Sequence, residues 1–434
     1  MFNFKTKFIF SIEILLLCTS TLYAQTDVFL KIYTKTFQRM EIDLYPFIGE
    51  NTDNNSDAIS ELITEVLSND LWMSGFFKVN IKSGTPQESV NELKERAEDS
   101  LNALAWITGG FRFHNNKIKI RPHVIDGASG KTIIRKDFTD IFGKERYIVH
   151  RIADDIVYSL TGEKGVAESK TAFVHQKKDG TKEISVMDYD GYYAKDITDD
   201  KSINLSPAWS PDGSKICYTS YKDGNPNLYI LNFRTGSQSL LSNLQGLNSA
   251  PAWSPDGSQI ALTLTKDGNA EIYILNLEKK KLRRLTFNRS IDSSPTWSPS
   301  AREIAFTSDR SGSPQIYIMD SDGVNVRRLT FEGSYNASPN WSPRGDKIAY
   351  VSRTKSGFDI FTIDVTGENI MRLTQNLGSN ENPSWSPNGF ALIFSSTRSG
   401  KKKLYSMFWD GSDQKRITSG GVNYSPAWSP RINY

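Results

Sequence analysis

S-P-A-W-S-P-D-G-S-K-I-C-Y-T-S (residues 206–220) returns with small changes as S-P-T-W-S-P-S-A-R-E-I-A-F-T-S (residues 294–308). Its Trp-Ser-Pro centre stands at Trp209, Trp253, Trp297, Trp341, Trp385 and Trp428, every 44 residues until a last interval of 43. A repeat of about 40–45 residues built from short strands is the sequence form of a β-propeller blade. Each copy reads as a strand ending in Trp, a corner, and a second strand such as Ile304 to Thr307. Ser210-Pro211-Asp212-Gly213 has Ser, Pro and Gly at the first, second and fourth positions of a type I turn, where that turn prefers them. Third strands are predicted at Leu228–Leu231, Ile272–Leu275, Ile316–Met319, Ile360–Ile363 and Leu404–Met407. Fourth strands end near Leu241, Leu285, Leu329, Leu373 and Ile417. Lys or Arg generally precedes those ends, as suits an outer edge that must resist pairing with other molecules.

Ala172-Phe173-Val174-His175 supplies a second strand with no Trp strand ahead of it, and Trp428 ends a first strand with nothing behind it. The economical arrangement is a six-bladed ring in which the C-terminal strand completes the sheet begun by residues 172–200. Closure of this kind removes open sheet edges. Each Trp is expected between adjacent blades. At Ala301 the corner lacks its Gly, so the turn there must differ or carry strain, and blade geometry is expected to be irregular at that point.

Ahead of the ring, residues 1–24 carry Lys5 and Lys7, an apolar run from Phe8 to Leu17 and then Leu22-Tyr23-Ala24, the layout of a signal peptide with cleavage after Ala24. The run is too short to span a bilayer, which needs about 20 apolar residues, and no later stretch approaches that length. Cleavage would leave Cys217 as the only thiol, so no internal disulfide could form. Residues 25–165 read as a small α/β domain and residues 166–434 as the propeller. Helices are expected from Asp57, as N-cap, through Leu67, from Gln87 to Ala105, and from Lys144 to Leu160. Strands are expected at Ala105–Thr108, Lys117–Pro122 and Lys131–Phe138, with Gly162 and Gly165 stopping the last helix. Val28, Leu30 and Ile32 alternate with Phe29, Lys31 and Tyr33 and read either as a strand of this domain or as a segment that adds to a partner's sheet edge.

The formal charge of +3 is too balanced to point to nucleic acid or an anionic membrane surface. Asp212 and Asp256 hint at a ring of carboxylates, but Ser300, Arg344 and Asn388 hold the equivalent positions, so these are turn residues. Neither Asp188-Tyr189-Asp190-Gly191 nor Asp320-Ser321-Asp322-Gly323 is followed by the Glu that a calcium loop requires. His114, His123, His150 and His175 are scattered without metal-ligand spacing, and no G-x-S-x-G occurs. No catalytic residue, cofactor or metal is expected. A secreted carbohydrate-acting propeller, lyase or hydrolase, is the rival reading; it needs carboxylates or a Tyr-Arg-His group in the funnel.

If each Trp strand runs from one mouth of the ring to the other, the Ser-Pro corners share one end. The fourth-to-first and second-to-third loops then share the opposite end. Those variable loops hold Asn248 and Ser249, Asp292 and Ser293, Tyr335 and Asn336, Asn380 and Glu381, Asn423 and Tyr424, together with Arg310, Arg353 and Arg398. Arg and Tyr are favoured interface anchors, so this mouth is the candidate partner-binding rim.

The layout of signal peptide, α/β domain and six-bladed ring resembles the TolB family of the bacterial Tol-Pal envelope system. The most specific stretch is H-R-I-A-D-D-I-V-Y-S-L-T-G-E-K-G, residues 150–165. The resemblance implies a periplasmic, non-enzymatic adaptor linked to outer-membrane integrity and to envelope constriction during cell division. It implies that the propeller mouth binds the peptidoglycan-associated lipoprotein Pal, with other outer-membrane proteins as further partners. It also implies that the mature N-terminal segment, here Gln25, Thr26, Asp27, Val28, Phe29 and Leu30 onward to about Ile32, reaches the inner-membrane protein TolA.

Overall fold

The structure is a computed structural model that describes residues 39–50, 56–83 and 103–432. The expected signal peptide, the segment Gln25–Ile32 and most of the helix expected from Gln87 lie outside these residues.

Among its described residues the N-terminal domain is one six-stranded sheet carrying two helices. Its strands are β1 (Met40–Gly49), β2 (Phe77–Ile81), β3 (Ala105–His114), β4 (Lys117–Asp126), β5 (Thr132–Arg135) and β6 (Phe138–Ile141), and its helices are α1 (Ser56–Met73) and α2 (Glu145–Thr161). The path runs β2-β1-β3-β4-β5, with β6 also on β4. Strand β1 pairs in parallel with β2 and β3, and β3 pairs antiparallel with β4. Asp57 lies inside the first turn of α1 rather than capping it. The single strand expected over Lys131–Phe138 is two strands interrupted at Lys136 and Asp137. The Asp137 carboxylate is turned onto Lys119 and Arg121 of β4, at 2.7 and 2.6 Å. Helix α2 ends at Gly162, whose φ of 74° is open to glycine without penalty and whose N–H donates to the Tyr158 carbonyl. Gly165 meets a different demand, since a Cβ there would stand 2.0 Å from Asp154 Oδ1.

The ring has six four-stranded antiparallel blades. Blades 1 to 5 begin at Asn204, Asn248, Asp292, Asn336 and Asn380, each with a first strand ending at its Trp. Blade 6 takes its first strand, Val422–Trp428, from the C-terminus and its other three, Lys170–Gln176, Lys182–Asp188 and Lys195–Asp196, from the start of the array. The ring is therefore closed by the C-terminal strand, as the repeat count requires. The outer strands are short, two to five residues, and four of the six are headed by a basic residue, Lys195, Lys281, Arg327 or Lys415.

The tryptophans fill the seams between blades. Trp297 of blade 3 packs with Ala261, Ile272, Ile274 and Leu285 of blade 2 and with Ile304 and Phe306 of its own sheet. Its indole N–H reaches back to the Ala252 carbonyl at 3.1 Å, and Trp253 and Trp385 repeat the bond to Ala208 and Asn340. The serine after each Trp closes the corner: Ser254 Oγ donates to Asp256 and accepts the Gln259 N–H. Hydrogen bonds from Ser254 and Ser258 hold the Asp256 carboxyl below its ordinary range, as befits a turn residue. The corner at Ala301 is regular, against expectation. Its φ of 60° matches the 68° and 71° of Gly213 and Gly257, and its N–H bonds the Ser298 carbonyl at the same 2.9 Å. The missing glycine is absorbed as local strain rather than as a changed turn.

Two outcomes follow. Trp297→Ala removes the seam's central ring and should cost about 3–5 kcal/mol, read by equilibrium denaturation; an unchanged midpoint would place the indole elsewhere. Ala301→Gly should raise stability by about 1 kcal/mol by relieving a left-handed Cβ, and a lower melting temperature would contradict the strain.

Candidate functional site

The chain direction gives the two ends of the ring different characters. The Ser-Pro corners and the third-to-fourth turns share one end, and the N-terminal domain docks there. Trp72 of α1 packs edge-on against Phe408 with ring centroids 5.1 Å apart, and Phe76 meets Phe390 at 4.7 Å. Arg39 lies over the Phe408 ring and pairs with Asp413 at 2.6 Å. Arg344 of the blade 4 corner reaches Glu163 just past α2. The opposite mouth carries the fourth-to-first and second-to-third loops, and none of these contacts involves it.

Each blade junction at that mouth is built on a buried polar group at the start of a third strand. Between blades 4 and 5, Asp359 accepts from Thr374 Oγ1 at 2.8 Å, from Asn380 Nδ2 at 3.0 Å and from Arg372 at 2.5 Å. The same threonine hydroxyl accepts the Ile360 N–H. Gln315, Thr330 and Asn336 repeat the arrangement between blades 3 and 4, and Glu183, Thr198 and Asn204 between blades 6 and 1. A buried carboxylate or amide is tolerable only when such bonds replace water.

This arrangement divides the residues expected at the rim. Asn248, Asp292, Asn336 and Asn380 are fully buried and Asn423 is nearly so. They are junction residues, not contact residues, because each side chain satisfies groups that the seam would otherwise strand. Asn248, for example, gives its amide to the carbonyls of Pro226 and Leu244. Arg310 and Arg398 are half-engaged in the same way: Arg310 donates to Asp292 and Ser308, and Arg398 to Asn380, Ser396 and Gln414. Arg353 is exposed, with its guanidinium 5.7 Å from the Tyr335 ring and 5.6 Å from that of Phe358. Ser249, Ser293, Tyr335, Glu381 and Tyr424 are partly exposed, Glu381 being held by Ser379 and Lys402 at 2.9 Å each. Gln25 through Leu30 lie outside the described residues.

The sequence reading missed the apolar part of this rim. Phe287 and Phe331 are 74% and 72% exposed in successive fourth-to-first loops, beside Arg284 and Arg328, with Ile291 and Leu377 also exposed. The signal was present in Leu285-Thr286-Phe287 and Leu329-Thr330-Phe331, where the 44-residue period continues one residue past the buried Thr. Exposed aromatic side chains grouped on one face commonly mark an interaction surface.

Among the described residues one histidine–carboxylate grouping forms. A ring nitrogen of His150 and one oxygen each of Asp188 and Asp190 lie within 4.8 Å of one another, at the docked end of the ring. No helix among the described residues is long and apolar enough to cross a membrane.

Asn380→Ala should cost about 1–3 kcal/mol because the Asp359 carboxylate loses a donor in a buried seam. Arg353→Ala should stay within about 0.5 kcal/mol of the parent. Chemical denaturation of both variants checks the division, and equal effects would erase it.

A family model for the TolB beta propeller domain matches residues 157–432, and one for the TolB amino-terminal domain matches residues 28–133. The Tol-Pal system protein TolB of Legionella pneumophila (strain Corby) is 32% identical over 192 residues, which are 43% of this chain and 45% of the relative. That of Pelagibacter ubique (strain HTCC1062) is 37% identical over 185 residues, 41% and 42% of the two chains. These alignments thus span a little under half the length of the curated relatives. The crystal structure of TolB from Acinetobacter baumannii superposes with a TM-score of 0.79 at 28% identity, covering 91% of this chain and 97% of that one. The propeller match alone spans more than half of the sequence, and on it the chain belongs to the TolB family of the Tol-Pal system.

Proposed function

We propose that this protein is a non-enzymatic periplasmic adaptor of the Tol-Pal system that binds a Pal-type peptidoglycan-associated lipoprotein at the open mouth of its ring. One observation carries the reading: among the described residues the N-terminal domain docks at the corner end, and the opposite mouth, which these contacts do not reach, gathers exposed aromatic and arginine side chains. Phe287, Phe331, Tyr335 and Arg353 are the anchors, and Ser249, Ser293, Glu381 and Tyr424 form the polar surround. The Thr–Asn–carboxylate or –amide sets at the seams of this mouth bind one another, which argues for recognition rather than for bond-making chemistry.

In this reading residues 1–24 are removed after Ala24, residues 25–165 form the N-terminal domain and residues 166–434 the ring. The mature segment Gln25–Ile32 is the reach towards a TolA-type inner-membrane protein. Joining the two partners would support outer-membrane integrity and constriction at division.

Arg353→Glu combined with Phe331→Ala should weaken a Pal-type lipoprotein at least about tenfold by titration calorimetry, since each 1.4 kcal/mol lost at an anchor is a factor of ten. The melting temperature should hold. Unchanged affinity with a folded variant would remove this mouth as the docking surface.

A further inference from the structure

The family-like stretch His150 to Gly165 places two polar side chains, His150 and Asp154, one helical turn apart on α2, where α2 and α1 meet the ring. His150 is buried, with its side chain 4% exposed. Its Nδ1 lies 2.7 Å from Asp70 Oδ2 of α1, and its Nε2 has no hydrogen-bond partner. Tyr189, fully buried in the third-to-fourth turn of blade 6, donates its hydroxyl to the other oxygen of Asp70 at 2.5 Å. From the same turn Asp190 pairs with Arg146, one turn before His150 on α2. Asp188, at the end of the third strand, is held by Lys170 of the second. One turn further along α2, Asp154 accepts the N–H groups of Ala167 and Glu168 and lies 3.3 Å from Arg431 of the C-terminal tail.

Charge bookkeeping decides what His150 is doing. Asp70, Asp188 and Asp190 are three carboxyl groups against the two fixed cations Arg146 and Lys170; burial pushes Asp190 up, while the charges of His150 and Arg146 pull it down. One negative charge is left in a mostly buried interface, where an unbalanced charge is costly. A single proton on His150 completes the balance. Nε2 has no hydrogen-bond partner, but the ring stands among carboxylate oxygens of Asp188 and Asp190, where an imidazolium N–H is favoured over a bare lone pair. A divalent cation fits worse: it would overshoot the balance and would have to displace Arg146 and Lys170 from their oxygens. Burial by itself would push the His150 imidazolium down, but the charge and hydrogen bond of Asp70, with the charge of Asp190, more than reverse this and raise it above its usual range.

We propose that doubly protonated His150 is a latch between the N-terminal domain and blade 6, and that loss of its proton as pH rises loosens the docking of the two domains. The sign follows from linkage. A histidine raised in the closed state contributes its full stabilisation below about pH 6.5, the ordinary imidazole value, and loses it as pH climbs through the raised one. Asp154 works in the same direction over a lower window. Burial pushes it up to about 7 against the pull of Arg431 and two N–H groups, so the closed state gives up that proton only near neutrality. The His150→Gln variant therefore separates the His150 contribution from that of Asp154. The latch is independent of which partner occupies the open mouth.

The test uses the full chain. Imidazole nitrogen chemical shifts should report His150 doubly protonated at pH 6.5 and neutral only at higher pH. Amide exchange in α2, corrected for its intrinsic pH dependence, should then accelerate by up to about tenfold for each pH unit by which the latch value exceeds 6.5. His150→Gln should abolish the part of that acceleration that tracks the imidazole shift. If it does not fold, Asp190→Asn should still show the wild-type sequence of events with its midpoint moved down. A neutral ring at pH 6.5, a flat exchange profile in the parent, or one tightly held divalent cation per chain by elemental analysis would each overturn the latch.

Discussion

The ring depends on one backbone pairing, between Val422–Trp428 at the end of the chain and Lys170–Gln176 at the start of the array. Five blades are made of contiguous sequence and hold together locally, whereas this one is joined across some 250 residues, and its loop-closure entropy is repaid only once. The pairing is reinforced where it can be. Trp428 gives its indole N–H to Ser169 Oγ at 2.7 Å and its backbone N–H to Ser384 of blade 5. The tail then continues to Arg431, which forks onto Glu168, and to Ile432, buried in the cluster of Trp209 and Ile216. Both ends of the array are thus bound into their neighbours, so the sixth seam resembles the other five in packing.

A second constraint repeats around the axis. The residue before the proline of each first strand, Ser206, Ala250, Ser294, Ser338, Asn382 and Ser425, has φ between 48° and 55°, and the ladder slips by one residue just there. A left-handed residue ahead of proline is unfavourable on two counts. It persists because a bulge puts two residues opposite one and sharpens the local twist, so that the Trp two residues past the proline can lean into the preceding seam. In blades 3 and 4 the strained residue's N–H is accepted by a threonine of the blade before, Thr263 and Thr307. Strain at the inner strand and burial at the seam are two sides of one arrangement.

The parts of this that were legible in the sequence are those carried by period and by turn chemistry. The 44-residue interval, the Ser-Pro corners, the third strands and the closing strand all depend on local residue type repeated at fixed spacing. The rim was only half legible. An Asn that opens a strand after a polar loop looks the same whether it points to solvent or into the seam. Asn336 and Asn380 point inward because Gln315 and Asp359, about 21 residues earlier, need donors there. Ala301 misled for a different reason: a missing glycine changes the energy of a turn without changing its shape when the flanking strands over-determine it. The apolar face of α2 follows from the four-residue spacing of Ile148, Ile152 and Ile156, but the polar face that meets the ring has partners far along the chain, and spacing alone does not reveal them.

Those distant partners connect closure with docking. Asp154 of α2 caps the linker at Ala167 and Glu168, Glu168 holds Arg431, and Ser169 receives Trp428, so the residues that seat the closing strand also seat the N-terminal domain. Gly165 has to be glycine because the chain passes against Asp154 at this crossing. Tyr189 completes the link: its hydroxyl bonds Asp70 while its ring stacks on Trp428 at 6.4 Å, with the planes 18° apart. A domain fixed to the sixth blade through the closing strand's own tryptophan cannot shift without disturbing the seam that holds the ring shut. Among the described residues the corner end is thereby the occupied end of the molecule, and the contacts of the N-terminal domain leave the opposite mouth untouched.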